Sequence, residues 1–272
     1  MNRQDEIRKL SLDRMINGVD IHLQKDSYIA CNTLNLDLSS ELSLYRIIGY
    51  DRLLESLKDG QLSMSRFCSF EDKNEAFILN SDIRDSNGNH VDLEEEKNKY
   101  YVQCWSKCEE SNALWKIYTM NKDNKTVKIK ASAKKLITVL YNIENPLHHN
   151  SYFIGGVKYE SNEYIKKLQK ELLSNFLFDE GMSLTRTFFI KEMPYDYEHE
   201  VRLVYKATTD WNNEPYFYFP IDFNDLIDEI VLHPKLSDDD CQKMTAEIIG
   251  LGYRGKVSKS DLYTKFNSVS VF

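Results

Sequence analysis

Glu198, Glu200 and Arg202 are separated by single residues in the stretch YDYEHEVRLVY. Alternation with a period of two is typical of a half-buried strand, on which residues two apart share a face and lie about 7 Å apart. The pattern therefore predicts two carboxylates and a guanidinium in a row on one face of a strand. Such a row is either an exposed ladder of ion pairs, which contributes little to stability, or a reaction centre.

Other segments accompany this strand in a fixed order, namely LYRI, QLSMSRFCSFEDKNE, CWSKCEESNALWKIYT and YEHEVRLVY, closed by IDEIVLHPKLS. Together they resemble an uncharacterised bacterial domain family with a Tyr-Arg strand, a Phe-x-Asp segment, a Trp-x-x-Tyr helix and a late Glu-x-Glu-x-Arg strand. That pattern is in turn similar to the ADP-ribosyltransferase toxins, which consume NAD. The resemblance covers most of residues 43–236.

The resemblance implies an activity as well as a fold. The activity is transfer of ADP-ribose from NAD to a cellular or phage macromolecule, by a toxin or an anti-phage defence effector. A toxin of this kind is expected to have an antitoxin or chaperone as a partner. The fold is expected to be α+β: a single ADP-ribosyltransferase-like domain with a split, mostly antiparallel sheet and peripheral helices. The order of predicted elements agrees, since strands alternate with helices early in the chain and are grouped together later.

The chemistry of NAD cleavage gives the late strand a function. Breaking the bond between ribose and nicotinamide builds positive charge on the sugar, in an oxocarbenium-like transition state. The resemblance places the catalytic glutamate at Glu200, whose carboxylate would stabilise that charge. Glu198 would position or deprotonate the acceptor, and Arg202 would hold either carboxylate ionised.

The first core strand and the one that follows it supply candidate ligands for NAD. Arg46, next to Tyr45, could bind the pyrophosphate or the adenosine ribose through its fork of donors, or it could form a salt bridge at a strand edge. Ser63 and Ser65 alternate along QLSMS, and either could bond the nicotinamide ribose. Exposed serines are also common on ordinary strands.

A short helix supplies aromatic candidates. Trp115 and Tyr118 are three residues apart, so a helix would bring them to one face, where they could form a wall for nicotinamide or simply pack in the core. The resemblance favours Tyr118 as the residue that contacts the cofactor and Trp115 as its packing support. Asp72 and Glu75 are expected to cap a helix or to brace Arg46.

A basic stretch at residues 121–135 is the candidate acceptor surface. It contains Lys128 and Lys130 on a predicted strand, and Lys134 and Lys135 at the start of the next helix. Such a cluster favours RNA or another nucleic acid over protein as the acceptor, although the formal charge of −8 argues in the other direction. The alternative is a solvated basic edge.

Two further function classes remain open. The same residues could form a non-catalytic module that binds a nucleotide or nucleic acid. Alternatively, Asp72, Glu75, Glu198 and Glu200 could hold magnesium in a metal-dependent nuclease. No structural zinc site is expected, because the close pair Cys104 and Cys108 has no matching second pair.

Composition and patterning set the wider frame. The chain has 272 residues, of which 42% are hydrophobic and 12% aromatic, enough for a substantial core. We predict an N-terminal helical extension over 1–40, with a helix at 5–16 followed by an irregular stretch, and a catalytic domain over 41–272, with a polar excursion at 82–97. In that domain LSLYRIIG and EHEVRLVYKA are predicted strands, Gly60 is expected to end a helix and Ser237 to cap another. Odd cysteine number, the absence of a long apolar segment and the polar N-terminus predict a cytoplasmic protein without membrane association.

Overall fold

The structure is a computed structural model that describes residues 21–38, 41–70, 74–84, 87–120, 124–141, 151–175, 182–207 and 214–264. The α-helices in these ranges are α1 (Ile21–Cys31), α2 (Tyr50–Asp59), α3 (Glu94–Asn98), α4 (Asn112–Thr119), α5 (Ala133–Leu140), α6 (Asn162–Asn175), α7 (Met182–Thr187), α8 (Phe223–Leu226) and α9 (Asp238–Gly250). Short 3₁₀ helices cover Phe67–Ser69 and Met193–Glu198.

The strands are β1 (Thr33–Leu34), β2 (Ser43–Gly49), β3 (Gln61–Arg66), β4 (Ile83–Arg84), β5 (His90–Val91), β6 (Tyr100–Ser106), β7 (Thr126–Ser132), β8 (Tyr152–Gly156), β9 (Lys158–Glu160), β10 (Ile190–Glu192), β11 (Glu200–Lys206), β12 (Tyr216–Pro220), β13 (Ile227–Leu232) and β14 (Lys256–Lys259). Most of the long pairings are antiparallel, and helices are interspersed among the strands. The prediction of an α+β fold is confirmed.

The chain forms two compact units that alternate along the sequence. The first unit takes its described residues from Met1–Leu42, Ser63–Lys107 and Ala133–Phe219. The second unit takes them from Ser43–Leu62, Cys108–Ser132 and Pro220–Phe272.

Strand β11 is the centre of the first unit. It pairs in antiparallel fashion with β6 on one side and β8 on the other, and β8 pairs in parallel with β1. Every residue of β11 before Lys206 is buried, because both faces of the strand are covered. The prediction of a half-buried strand is therefore wrong, and the charged residues of this strand do not face solvent.

The two faces of β11 pack against different partners. On one face, Val204 belongs to an apolar core that includes Phe188, Phe189 and Leu184. Gly155 of β8 makes room for this packing, because an added Cβ would lie 2.5 Å from the ring of Phe189. On the other face, the rings of Tyr152, Tyr205 and Phe217 stack side by side.

In the second unit the strand order is β2, β7, β13, β14. Strand β7 pairs in antiparallel fashion with both β2 and β13, and β13 pairs in parallel with β14. Helix α2 follows β2 directly and ends at Gly60, whose φ of 62° is a left-handed conformation that suits glycine. Helix α9 begins after Ser237, whose side chain accepts a hydrogen bond from the backbone of Asp240, so the predicted N-cap is confirmed.

Several boundaries differ from those predicted. The strand expected from EHEVRLVYKA begins only at Glu200, and Glu198 belongs to the preceding 3₁₀ helix. The stretch before residue 40, predicted to be irregular, contains α1, whereas the helix predicted at 5–16 lies outside the described residues. The polar excursion at 82–97 contains the β4–β5 pair and most of α3. Over the ranges that the structure describes, no helix combines the length and the apolar character needed to cross a bilayer.

Candidate active site

The chain turns sharply just before β11, and this turn separates Glu198 from Glu200. His199 between them adopts a left-handed conformation with φ of 45°. The carbonyl of Glu198 accepts a hydrogen bond from Ser106 Oγ at 2.7 Å. The backbone N–H of Glu200 donates to the Tyr159 hydroxyl at 2.8 Å. The two glutamates therefore approach each other across a fixed turn rather than along a regular strand.

Glu200 and Arg202 form a buried ion pair on one face of β11. Arg202 is 1% exposed and Glu200 5%. Arg202 Nη2 lies 2.7 Å from Glu200 Oε2 and 2.9 Å from Glu75 Oε2, and Nη1 donates to the carbonyl of Phe188 at 2.9 Å. An ion pair buried to this degree is strongly shielded from solvent, so the alternative of an exposed ladder is excluded.

Lys191 is the second cation of this cluster, and it comes from β10. Its ammonium lies 2.7 Å from Glu198 Oε2, 3.2 Å from Glu75 Oε1 and 3.7 Å from Glu200 Oε2. The Tyr195 ring centroid is 4.3 Å from the same ammonium. We call these five residues, Glu75, Lys191, Glu198, Glu200 and Arg202, the carboxylate cluster.

The charges of the carboxylate cluster do not balance. With all five side chains ionised, three negative charges face two positive ones, which leaves one excess negative charge among these described residues. Burial would raise the pKa of Glu200, but Arg202 and Lys191 outweigh this effect and hold the pKa below its usual value. Burial raises the pKa of Glu198, and the charge of Glu200 adds to this rise although Lys191 opposes it. Of these two carboxylates, Glu198 is therefore the one whose pKa lies above its usual value.

The two cations stay charged despite their burial. Burial lowers the pKa of Lys191, but the charges of Glu200 and Glu75 more than compensate and raise it above the usual value. Burial likewise lowers the pKa of Arg202, but the charge of Glu200 more than compensates, so the pKa lies above its usual value. Glu200 thus stays ionised although it is buried.

Cys104 lies beside the ion pair, opposite Arg202 on the neighbouring strand β6. Burial and the negative charge of Glu200 raise the pKa of its thiol well above the usual value. A protonated thiol in this position is a hydrogen-bond donor rather than a nucleophile.

The carboxylate cluster also bears on the metal hypothesis. Three of the four carboxylates grouped by the nuclease alternative, Glu75, Glu198 and Glu200, do come together, while Asp72 lies outside the described residues. Lys191 contacts all three, so an ammonium group stands where a metal ion would have to bind. Within the described part of the chain, no group of three or more His, Cys, Asp or Glu residues has the arrangement of a metal site.

The aromatic and arginine candidates Tyr45, Arg46, Trp115 and Tyr118 belong to the second unit. Arg46 is partly exposed on β2, opposite Ile129 of β7. Trp115 is 1% exposed and donates a hydrogen bond from its indole to Glu110, whereas Tyr118 is 39% exposed. Trp115 therefore packs in the core, in agreement with the packing role expected for it, and Tyr118 is the accessible ring of the two.

The two serine candidates lie in the first unit on β3. Ser63 is buried, and its carbonyl accepts a hydrogen bond from Gln103 Nε2 at 2.9 Å. Ser65 is partly exposed and lies opposite Val102. Ser65 is therefore the more accessible of the two.

The four lysines proposed for the acceptor surface differ in exposure. Lys128 is buried, pairs with Glu110 at 2.7 Å and also donates to the carbonyl of Glu109, so it is a structural residue and not part of a free basic surface. Lys130 is partly exposed, with its ammonium 5.9 Å from the ring centroid of Tyr45. Lys134 and Lys135 are exposed in the first turn of α5, as predicted for the start of that helix.

No protein-family model and no curated protein matches the chain. Among solved structures, similar chains include three of DarT from Thermus sp. 2.9. The complex with carba-NAD+ has 14% identity and a TM-score of 0.36, over 81% of this chain and 96% of that chain. The complex with NAD+ has 15% identity and a TM-score of 0.36, over 82% and 98%. The complex with ADP-ribosylated ssDNA has 15% identity and a TM-score of 0.37, over 84% and 98%.

Sequence reasoning missed Lys191 altogether and misassigned Glu75. Lys191 follows a run of apolar residues in RTFFIKE and looks like an ordinary residue at the end of a strand. The signal available in the sequence was the position of this lysine two residues after an apolar Phe-Phe pair. In the structure that pair is buried and the strand has only three residues. Glu75 was expected to cap a helix or to brace Arg46, but its carboxylate forms ion pairs with Lys191 and Arg202.

Proposed function

We propose that this protein is an ADP-ribosyltransferase that cleaves NAD and transfers ADP-ribose to a macromolecule, with Glu200 as the catalytic carboxylate. One observation carries the proposal: Glu200 is a buried carboxylate that two cations hold ionised at the beginning of the central strand β11. A fixed negative charge in a site of low polarity stabilises a cationic transition state far better than one in water. The ordered motifs of the sequence point to the same residue.

Glu198 is the acceptor-side residue of this proposal. Its raised pKa makes it a better proton acceptor than an exposed glutamate, and its carboxylate shares Lys191 with Glu200. One carboxylate then stabilises the sugar cation while the other deprotonates the incoming nucleophile. The different environments of the two carboxylates support this division of roles.

The proposal keeps NAD as the substrate and Arg46 as its pyrophosphate or ribose ligand. A guanidinium presents two parallel donors to a phosphate, and Arg46 is partly exposed. Ser65 and Tyr118, which are at least partly exposed, stay proposed contacts, whereas the buried Tyr45 and Trp115 have a packing role.

For the acceptor we propose a nucleic acid, with RNA or another nucleic acid preferred slightly over protein. The exposed pair Lys134 and Lys135 supports a surface for backbone phosphates. In this proposal the protein acts as a toxin or an anti-phage defence effector that an antitoxin or chaperone holds in check.

Labelled NAD separates this proposal from its alternatives. The purified protein is incubated with adenine-labelled NAD and with RNA, DNA or a protein extract, with and without a metal chelator. An ADP-ribosyltransferase transfers label regardless of chelator, a nuclease cleaves nucleic acid only without it, and a binding module protects its ligand without turnover. The proposal is abandoned if NAD remains intact in every arm, both alone and with each acceptor.

A further inference from the structure

Lys191 makes more contacts than charge neutralisation requires. A buried lysine is stabilised by one carboxylate partner, yet its ammonium lies within 3.7 Å of three, on Glu75, Glu198 and Glu200. Glu200 already receives two hydrogen bonds from Arg202, so it does not depend on Lys191 to stay in place. The shortest contact of Lys191, at 2.7 Å, is instead to Glu198.

Glu198, like Glu75, is a member of the carboxylate cluster that does not lie on a strand. It lies at the end of a 3₁₀ helix and is followed by the left-handed His199, so no strand pairing fixes the direction of its side chain. Lys191, by contrast, is fixed by the parallel pairing of β10 with β9, where it lies opposite Tyr159. The backbone of Lys191 is therefore held by strand pairing, whereas the side chain of Glu198 has its shortest contact, at 2.7 Å, with the ammonium of Lys191.

Building on the proposed function, we propose that Lys191 is a positioning residue: its ammonium, anchored by Glu75, holds the carboxylate of Glu198 next to Glu200. Without it, two like charges close together would repel and Glu198 would turn away. Lys191 does not touch the reacting sugar in this proposal and acts only through Glu198.

The groups that face Glu198 set the expected pH response. They are Lys191 of β10, Glu200 and Arg202 of β11, and Tyr159 of β9, with Glu75 on the far side of the lysine. Of these, Lys191 gives the direct hydrogen bond that favours the ionised form of Glu198. Removing the ammonium should therefore raise the pKa of Glu198 further. The acid limb of the pH–rate profile, where the rate falls as Glu198 gains a proton, should then move to higher pH.

The test uses four variants of the full chain. Lys191→Met removes the ammonium but leaves Arg202 facing three carboxylates, and this variant is at risk of not folding. Lys191→Met combined with Glu75→Gln restores the wild-type charge balance and keeps the experiment interpretable. Lys191→Arg restores a cation, and Lys158→Met, an exposed lysine on the adjacent β9, is the matched control.

Two readouts are measured on each variant. The first is transfer of ADP-ribose from NAD to an acceptor, as kcat and KM for NAD across a range of pH. The second is the titration of Glu198 by ¹³C NMR on protein labelled at the glutamate carboxyl carbons, assigned with Glu198→Gln. For the charge-balanced double variant we expect kcat to fall about tenfold to a hundredfold with little change in KM, and the Glu198 titration to move to higher pH. Lys191→Arg should recover part of kcat, and Lys158→Met should behave as the wild type.

The outcomes distinguish this inference from the function on which it rests. Wild-type kcat and an unchanged pH profile in the double variant would overturn the positioning role while leaving the transferase intact. A wild-type protein that consumes no NAD would remove the proposed function and the positioning role together, even where the NMR titration still shows that Lys191 and Glu198 are coupled.

Discussion

Arg202 donates two hydrogen bonds to one oxygen of Glu200, at 3.1 Å from Nε and 2.7 Å from Nη2, across two positions of the same strand. The guanidinium also lies 2.9 Å from Glu75 Oε2 and therefore ties the strand to a segment more than a hundred residues earlier. The pair is buried on the face that continues into the apolar core through Val204. In the proposed function, catalysis and folding thus depend on the same side chains, so each variant below is measured for both.

Replacing Glu200 with glutamine should abolish most turnover while the protein remains folded. The amide keeps the shape of the side chain but not the charge that meets the sugar cation, and the remaining charges of the carboxylate cluster then balance. We expect kcat to fall by about a hundredfold or more, as for loss of one electrostatic stabiliser. Glu229→Gln, which removes a glutamate paired with Lys256 in the second unit, is the control. Wild-type turnover with unchanged melting in Glu200→Gln would end the catalytic assignment.

Replacing Arg202 with methionine should destabilise the protein severely. The change leaves Glu75 and Glu200 buried with only Lys191 to neutralise them, and loss of one partner from a buried pair costs about 3–5 kcal/mol. Chemical denaturation measures this loss as a lower free energy of unfolding. Adding Glu75→Gln should recover part of it, and a double variant no more stable than Arg202→Met would show that the two residues are not coupled.

The acid limb of the reaction should be set by Glu198 and not by Glu200. The pKa of Glu198 is raised, so on acidification it gains its proton first, whereas the lowered pKa of Glu200 keeps that group ionised to lower pH. Transfer to an acceptor should therefore decline at a pH above the usual range for glutamate. In Glu198→Gln this limb should disappear from the residual rate, and NAD hydrolysis by water should lose less than transfer. A limb that persists unchanged in this variant would assign the titration to another group.

Lys134 and Lys135 should contribute to acceptor binding without affecting NAD cleavage. Changing both to glutamine should leave NAD hydrolysis nearly intact and weaken transfer to nucleic acid, and wild-type binding should fall steeply with added salt. Lys166 and Lys167, an exposed adjacent pair on α6, provide the matched control. Equal losses in both double variants would indicate a general charge effect. If the wild type transfers ADP-ribose to protein alone, the proposal of a nucleic-acid acceptor is wrong.

Arg46 should bind NAD through its fork of donors. Arg46→Ala is expected to weaken NAD binding by calorimetry, and Arg46→Lys should restore only part, because an ammonium cannot form the bidentate contact. Arg52, on α2 in the same unit, offers a control substitution to alanine. If all four proteins bind NAD equally, Arg46 has only a structural role.

The elements that the sequence predicted well have their signals within a few neighbouring residues. The strand at LSLYRIIG, the helix ended by Gly60 and the helix capped by Ser237 are confirmed because a periodic apolar pattern and a specific cap occur together. Strand β8 was missed because YFIGG carries two glycines, which usually weaken a strand. Here Gly155 is required by the close approach of Phe189 and Leu34, and Gly156 by that of Asn35, a tertiary reason that no local pattern contains.

The candidate site was predictable in composition but not in arrangement. The alternating pattern indicated Glu200 and Arg202 as candidates, and the acidic segment FEDKNE indicated Glu75. Charged residues of this kind can be identified in any sequence. That Lys191 joins the carboxylates, and that Arg202 also contacts Glu75, is visible only in the folded chain. The burial of Lys128 near Tyr45 and Glu110 could not be predicted from the sequence either, because a lysine on a strand normally indicates a solvent-facing position.

The interleaving of the two units has a consequence during synthesis on the ribosome. The sheet of the second unit joins β2 to β7 and β7 to β13, strands that emerge from the exit tunnel at widely separated times. The first unit needs β11, so Glu200 and Arg202 reach their partners only after most of the chain has been translated. Non-local pairing of this kind is slow to form. A nascent chain would therefore carry no assembled carboxylate cluster until late in translation, and a fragment released early would lack the cluster altogether.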